Sequence, residues 1–156
     1  MKPVFAALIA TAMLAASTAN AQDKPKQPEQ AAAPQTASKP SLGEIMALQQ
    51  MRHSKLWFAG RAGNWPLAEY EIGELNEGFD DVNKLLGGDT VEKAVGAQIS
   101  ALEKVVEAKD HAAFTAAFDK LTAGCNGCHH TLDYGFIVIQ RPTTLHPYSN
   151  QSFTVQ

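Results

Sequence analysis

Phe114-Thr115-Ala116-Ala117-Phe118-Asp119-Lys120-Leu121-Thr122-Ala123-Gly124-Cys125-Asn126-Gly127-Cys128-His129 carries two patterns at once. Phe114, Phe118, Leu121, Cys125 and Cys128 follow at intervals of four, three, four and three, the spacing of one face of an α-helix. The line ends in C-x-x-C-H, the spacing that attaches a c-type haem. Two thiols on one helical turn can each add across a vinyl group of the same porphyrin. The histidine directly after the second thiol, His129, is then held beneath the ring as proximal axial ligand. Because Cys125 and Cys128 continue the apolar face, one covalently bound haem c would sit inside the helical core.

Other uses of a close cysteine pair fit less well. A thioredoxin-like Cys125–Cys128 redox disulfide needs a strand–helix–strand neighbourhood, and no such alternation is visible. A zinc site needs four convergent ligands, but His129 and His130 are adjacent and diverge, and the chain's two cysteines are both in the motif.

Upstream, three further helices are predicted. Ser41 with Glu44 three residues on forms a capping-box pattern ahead of a helix from Leu42 to Gly60, with Leu42, Met46, Gln49, His53, Leu56 and Trp57 on one stripe. Gly60 to Gly63 ends it. Asn64 caps the second helix, with Pro66 in the first turn, where a missing amide donor costs little. Its stripe is Trp65, Ala68, Ile72, Leu75, Phe79, Val82 and Leu86, stopped by Gly87-Gly88. Asp89 with Glu92 opens the third, whose stripe is Val91, Val95, Gln98, Leu102 and Val105, and Asp110 caps the fourth. Helices of about 18 to 22 residues, each roughly 30 Å long and joined by short turns, predict an all-α fold: an antiparallel four-helix bundle around the haem, followed by an irregular C-terminal tail. No repeat suggests a solenoid.

With its C-x-x-C-H motif late in the last helix of such a bundle, the segment Ser41 to Leu132 resembles the class II cytochromes c, the cytochrome c′-like family. Class I cytochromes c carry the motif near the N-terminus, which separates them from this chain. The resemblance implies a periplasmic four-helix bundle in which a residue of the first helix faces the distal side of the iron: apolar in five-coordinate members, methionine in six-coordinate ones. Dimerisation is common in the family, so a homodimer is a further expectation, although no stripe here assigns an interface.

The N-terminus agrees with that compartment. Met1-Lys2, an apolar run from Val4 to Ala16 and Ala19-Asn20-Ala21 read as a secretory signal peptide over 1–21, cleaved after Ala21. The run is too short for a comfortable membrane span, and no later segment approaches one, so stable membrane insertion is not expected. Cleavage removes Lys2 from 13 basic side chains and leaves 12 against 16 acidic, a balance that argues against nucleic-acid binding. Residues 22–40, rich in Gln, Ala, Pro and Lys without aromatic or branched aliphatic side chains, read as a disordered tether. The haem domain is expected over 41–134 and the tail over 135–156.

The sixth iron position divides the functional readings. His53 is the leading distal candidate, Met46 the runner-up and Met51 third, with an open distal side as the remaining case. Met46 and His53 share a face about 10 Å apart along the axis, so one of them at most can stand opposite His129. Histidine or methionine ligation suits one-electron transfer with an unidentified redox protein as partner, and methionine tends to raise the potential. An open side suits a small diatomic gas, the NO or CO binding that cytochrome c′ resemblance implies. A third reading is a haem-free helical interaction module with a Cys125–Cys128 disulfide. No second metal motif or nucleophile–base pair supports an enzyme.

Of the other histidines, His111 reads as a solvated cap residue, His130 as exposed, and His146 lies in the tail without an assigned place. Arg52, Lys55 and Arg61 are candidates to offset haem propionate charge. The tail departs from the family pattern by continuing 27 residues beyond His129. Gly135 is expected to end the helix, and Phe136-Ile137-Val138-Ile139 to form an extended apolar segment. Four exposed apolar residues invite aggregation, so the segment is expected to fold back and shield a haem edge. The alternative is a docking strip.

Overall fold

A computed structural model describes residues 39–144 and 150–155. The chain divides into two units, Met1–Ala37 and Ser38–Gln156, and the described residues all belong to the second. The signal peptide, the tether as far as residue 38, and His146 lie outside them.

Four α-helices make up the described fold: α1 Leu42–Ala62, α2 Trp65–Leu86, α3 Ala97–Glu107 and α4 His111–Thr131. A π-helical turn, Glu92–Gly96, leads into α3, and no strand occurs among the described residues. None of these helices is long and apolar enough to cross a membrane. α1 packs chiefly on α2 and α3 on α4, while α2 meets α3 and α1 meets α4.

Local chemistry sets each boundary. The Glu44 amide donates to Ser41 Oγ and the Ser41 amide donates back to Glu44 Oε2 at 2.7 Å, which satisfies two donors the first turn would leave unpaired. Gly63 ends α1 at φ +71°, a left-handed conformation that costs glycine little. Asn64 Oδ1 then accepts from the Leu67 amide to start α2. Asp110 Oδ1 accepts from the Ala112 and Ala113 amides at 2.9 and 3.0 Å and starts α4.

Three sequence expectations shift. α4 stops at Thr131 rather than continuing to Gly135, because Asp133 turns left-handed at φ +63° and the Tyr134 amide donates back to the His129 carbonyl. The buried line of the third helical segment is Val91, Val95, Ile99, Leu102 and Val106. The π turn inserts an extra residue, and Gln98 and Val105 move to the flank of that line. Leu86, placed on the buried stripe of α2, is exposed at the helix end.

The core between α1, α2 and α4 is aromatic. Trp57 lies 5.0 Å from Phe118 between ring centroids, and Trp65 meets Phe114 edge-on at 6.1 Å. Phe114, Phe118, Leu56 and Leu121 are fully buried, each contributing about 1.5–3 kcal/mol of hydrophobic stabilisation. Gly60 admits the Phe114 ring, since a Cβ there would stand 2.0 Å from its Cζ.

Candidate functional site

A cavity of about 430 Å³ lies between the first half of α1, the second half of α2, the Val91–Val95 region, the end of α4 and the tail. Its wall is mainly apolar, with Leu75, Phe79, Val82 and Leu121 among the residues that line it. The same wall holds Cys125, Cys128, His129, Met46 and His53. Five of the six residues named in the sequence as haem-attachment or axial candidates therefore face one space, in the size range of small-molecule sites. Met51 is half-buried elsewhere on α1.

The helical spacing of α4 places both thiols on the cavity side as free cysteines. Burial, with Cys128 adding to it, pushes the Cys125 thiol up to about 12, and burial raises Cys128 as well. A cysteine activated for disulfide exchange is shifted the opposite way.

His129 is held by the tail. Its Nδ1 lies 2.8 Å from the Ile137 carbonyl oxygen, which can only accept, so Nδ1 carries the proton and donates. In the neutral ring the lone pair is then on Nε2, the arrangement found in metal-ligating histidines.

His53, 4% exposed, lies tilted against Phe118 with ring centroids 4.4 Å apart and places Nε2 2.8 Å from Thr122 Oγ1. The Thr122 hydroxyl donates to the Phe118 carbonyl, so the proton shared with His53 comes from Nε2. Burial lowers the His53 pKa to about 4, leaving the ring neutral.

On the cavity wall, Gln49 Nε2 donates to the Leu75 carbonyl at 2.7 Å and Gln49 Oε1 accepts from Arg52. Arg52 pairs with Glu74 and Lys55 with Glu71, so neither is free to offset a propionate. Arg61 lies over the Trp57 ring. The exposed His111 ring meets Trp65 edge-on, and His130 is exposed beside Gly135.

The tail follows α4 backwards from its end. Asn126 Nδ2 donates to the Ile139 carbonyl at 2.9 Å and Asn126 Oδ1 accepts from the Ile139 amide at 2.7 Å. Arg141 makes a two-pronged pair with Asp119 and lies over Trp57 at 4.9 Å. Phe153 reaches Phe58 of α1. The apolar segment is covered less than expected: Ile139 is half-buried on the cavity wall and Ile137 lines the cavity yet stays 43% exposed, whereas Phe136 and Val138 are 80% and 61% exposed. In an extended chain successive side chains point to opposite sides, so one face of the segment must be outward.

Among the described residues no group of three or more His, Cys, Asp or Glu side chains converges on a bare metal ion. A haem iron asks less of the protein, one or two axial donors, because the porphyrin supplies the rest. The chain matches no protein-family model, no curated protein and no solved structure.

Proposed function

We propose that this chain is a secreted, periplasmic monohaem c-type cytochrome of the class II kind, with an antiparallel four-helix bundle and a role in one-electron transfer. The observation that carries the reading is the shared cavity: Cys125, Cys128 and His129 line it together with Met46 and His53, and the His129 ring already donates through Nδ1 to Ile137. Its apolar wall would exclude water from a porphyrin attached through the two thiols. The residues present fit that group, which when bound supplies an iron that cycles between two oxidation states.

The contacts between α1 and α4 favour Met46 over His53 as the distal ligand. Gly60 meets Phe114, Trp57 meets Phe118 and His53 meets Thr122, so three or four residues back along α1 correspond to four residues forward along α4. Extended by two more turns, about 10 Å, the same pairing would carry Met46 opposite His129. His53 meanwhile has its Nε2 engaged by Thr122. Its part in this reading is to pack one wall as a neutral ring, and it becomes the ligand only through Nδ1.

The test is an optical spectrum of protein matured with cytochrome c assembly machinery: oxidised, reduced, and reduced with CO. A covalent haem with a low-spin reduced spectrum insensitive to CO is expected. A high-spin spectrum that shifts with CO would replace electron transfer by gas binding. A colourless protein with a Cys125–Cys128 disulfide would overturn the haem reading.

A further inference from the structure

We infer that the tail segment Tyr134–Arg141 is a positioning strap for His129, acting through the Ile137 carbonyl to fix the ring's orientation and tautomer and to raise its basicity toward iron. The inference rests on the proposed haem function.

A backbone carbonyl in an irregular segment holds a ring only as well as its own register is held. Here the register is fixed on both sides of Ile137. On the N-terminal side, the Tyr134 amide donates to the His129 carbonyl at 2.7 Å and the Ile137 amide to the Tyr134 carbonyl at 2.8 Å, a closed turn that starts at the histidine itself. On the C-terminal side, the Asn126 amide group takes both the amide and the carbonyl of Ile139, as a neighbouring strand would. Further along, Arg141 is anchored by Asp119 and the Trp57 face. Three attachment points on α4, at Asp119, Asn126 and His129, therefore locate one carbonyl.

Asn126 occupies a variable position of the C-x-x-C-H motif, where haem attachment itself asks nothing of the side chain. Its two bonds go to the tail. The haem-attachment turn and the strap are thereby one hydrogen-bonded unit. A partner that accepts from Nδ1–H increases the electron-donating power of Nε2, which favours the ferric state.

The test compares wild type, Asn126→Ala, Asn126→Asp and a chain truncated after Gly135, each matured with covalent haem, by reduction potential and by solvent exchange of the His129 Nδ1 proton. Loosening the strap is expected to raise the potential. A tenfold change in the one-electron equilibrium, about 59 mV, is the expected scale for Asn126→Ala. Asn126→Asp keeps the acceptor for the Ile139 amide but loses the donor, so it should fall between. Nδ1 proton exchange should quicken in the same order.

Covalent haem at an unchanged potential in both Asn126 variants, whatever happens to thermal stability, would overturn the strap while leaving the cytochrome reading intact. Should the truncated chain fail to fold, the two Asn126 variants decide alone. Absence of covalent haem from the wild type would instead overturn the functional reading on which the strap rests.

Discussion

His53 Nε2 stands 2.8 Å from Thr122 Oγ1, and this bond ties the middle of α1 to α4 one turn before the first cysteine of the C-x-x-C-H motif. Because the Thr122 hydroxyl is committed to the Phe118 carbonyl, His53 must donate, and a ring that donates inside an apolar wall is stable only while neutral.

Acid should therefore act on His53. Its folded pKa, lowered to about 4 by burial, is below the ordinary value of 6.5. The unfolded chain binds the proton first, so the neutral ring's stabilisation is complete above about pH 6.5 and is lost as pH falls toward 4. The loss should reach about 3 kcal/mol by pH 4. His53→Gln can still bond Thr122 but cannot take up the proton. Urea unfolding of the two proteins across this range should show the wild type losing stability relative to His53→Gln, and parallel curves would refute the assignment.

The proposed axial role of Met46 separates two substitutions on the same wall. Met46→Leu should open the sixth position, converting a CO-insensitive reduced spectrum into a CO-responsive one, with covalent haem retained through Cys125 and Cys128. His53→Leu should leave the spectrum low-spin and change mainly stability. The reverse outcome would make His53 the ligand, through the Nδ1 that Thr122 does not engage.

Two helical glycines should respond oppositely to alanine. At Gly60 the added Cβ meets the Phe114 ring at 2.0 Å, and Phe114 is locked against Trp57, Trp65 and Phe118. Gly60→Ala should cost about 1–3 kcal/mol through overpacking. Gly73, exposed on α2 with nothing within 4 Å of its Cβ position, should gain about 0.5–1 kcal/mol from the same change. Thermal unfolding of the two variants checks the contrast.

What the sequence made legible was what repeats along a helix or caps one. Ser41, Asn64 and Asp110 accept the amides their types and positions predicted, and Cys125 continues the face of Phe114, Phe118 and Leu121 into the cavity. The partners in space were not legible. Thr122 follows Leu121 just off the stripe, and only its distance from His53 across two helices gives it a role. Asn126 was visible inside the motif, but its bonds go to backbone 13 residues away, which no side-chain pattern records. The π turn at Glu92–Gly96 has no composition signature, so the sequence does not reveal which residues of the third stripe turn inward there. Glu71 was hidden for another reason: a carboxylate beside Ile72 reads as solvated unless the cation that buries it is known.

That cation is Lys55. Glu71 is 0% exposed and ion-paired with Lys55 across α1 and α2. Burial raises its pKa, Lys55 pulls it back, and the nearby Glu74 raises it further. Removing the cation leaves a buried carboxylate with no compensating charge, so Lys55→Met should be destabilising by about 3–5 kcal/mol near neutral pH, the range for breaking a buried pair from one side. The deficit should shrink in acid. A carboxyl whose folded pKa exceeds its unfolded value stabilises the fold when protonated, and that contribution is lost as pH rises through the raised pKa. Adding Glu71→Leu to Lys55→Met removes the stranded charge and should restore most of the stability at pH 7. A double variant no more stable than Lys55→Met in a denaturant titration would mean that Lys55 acts through its packing over Tyr70 rather than through Glu71.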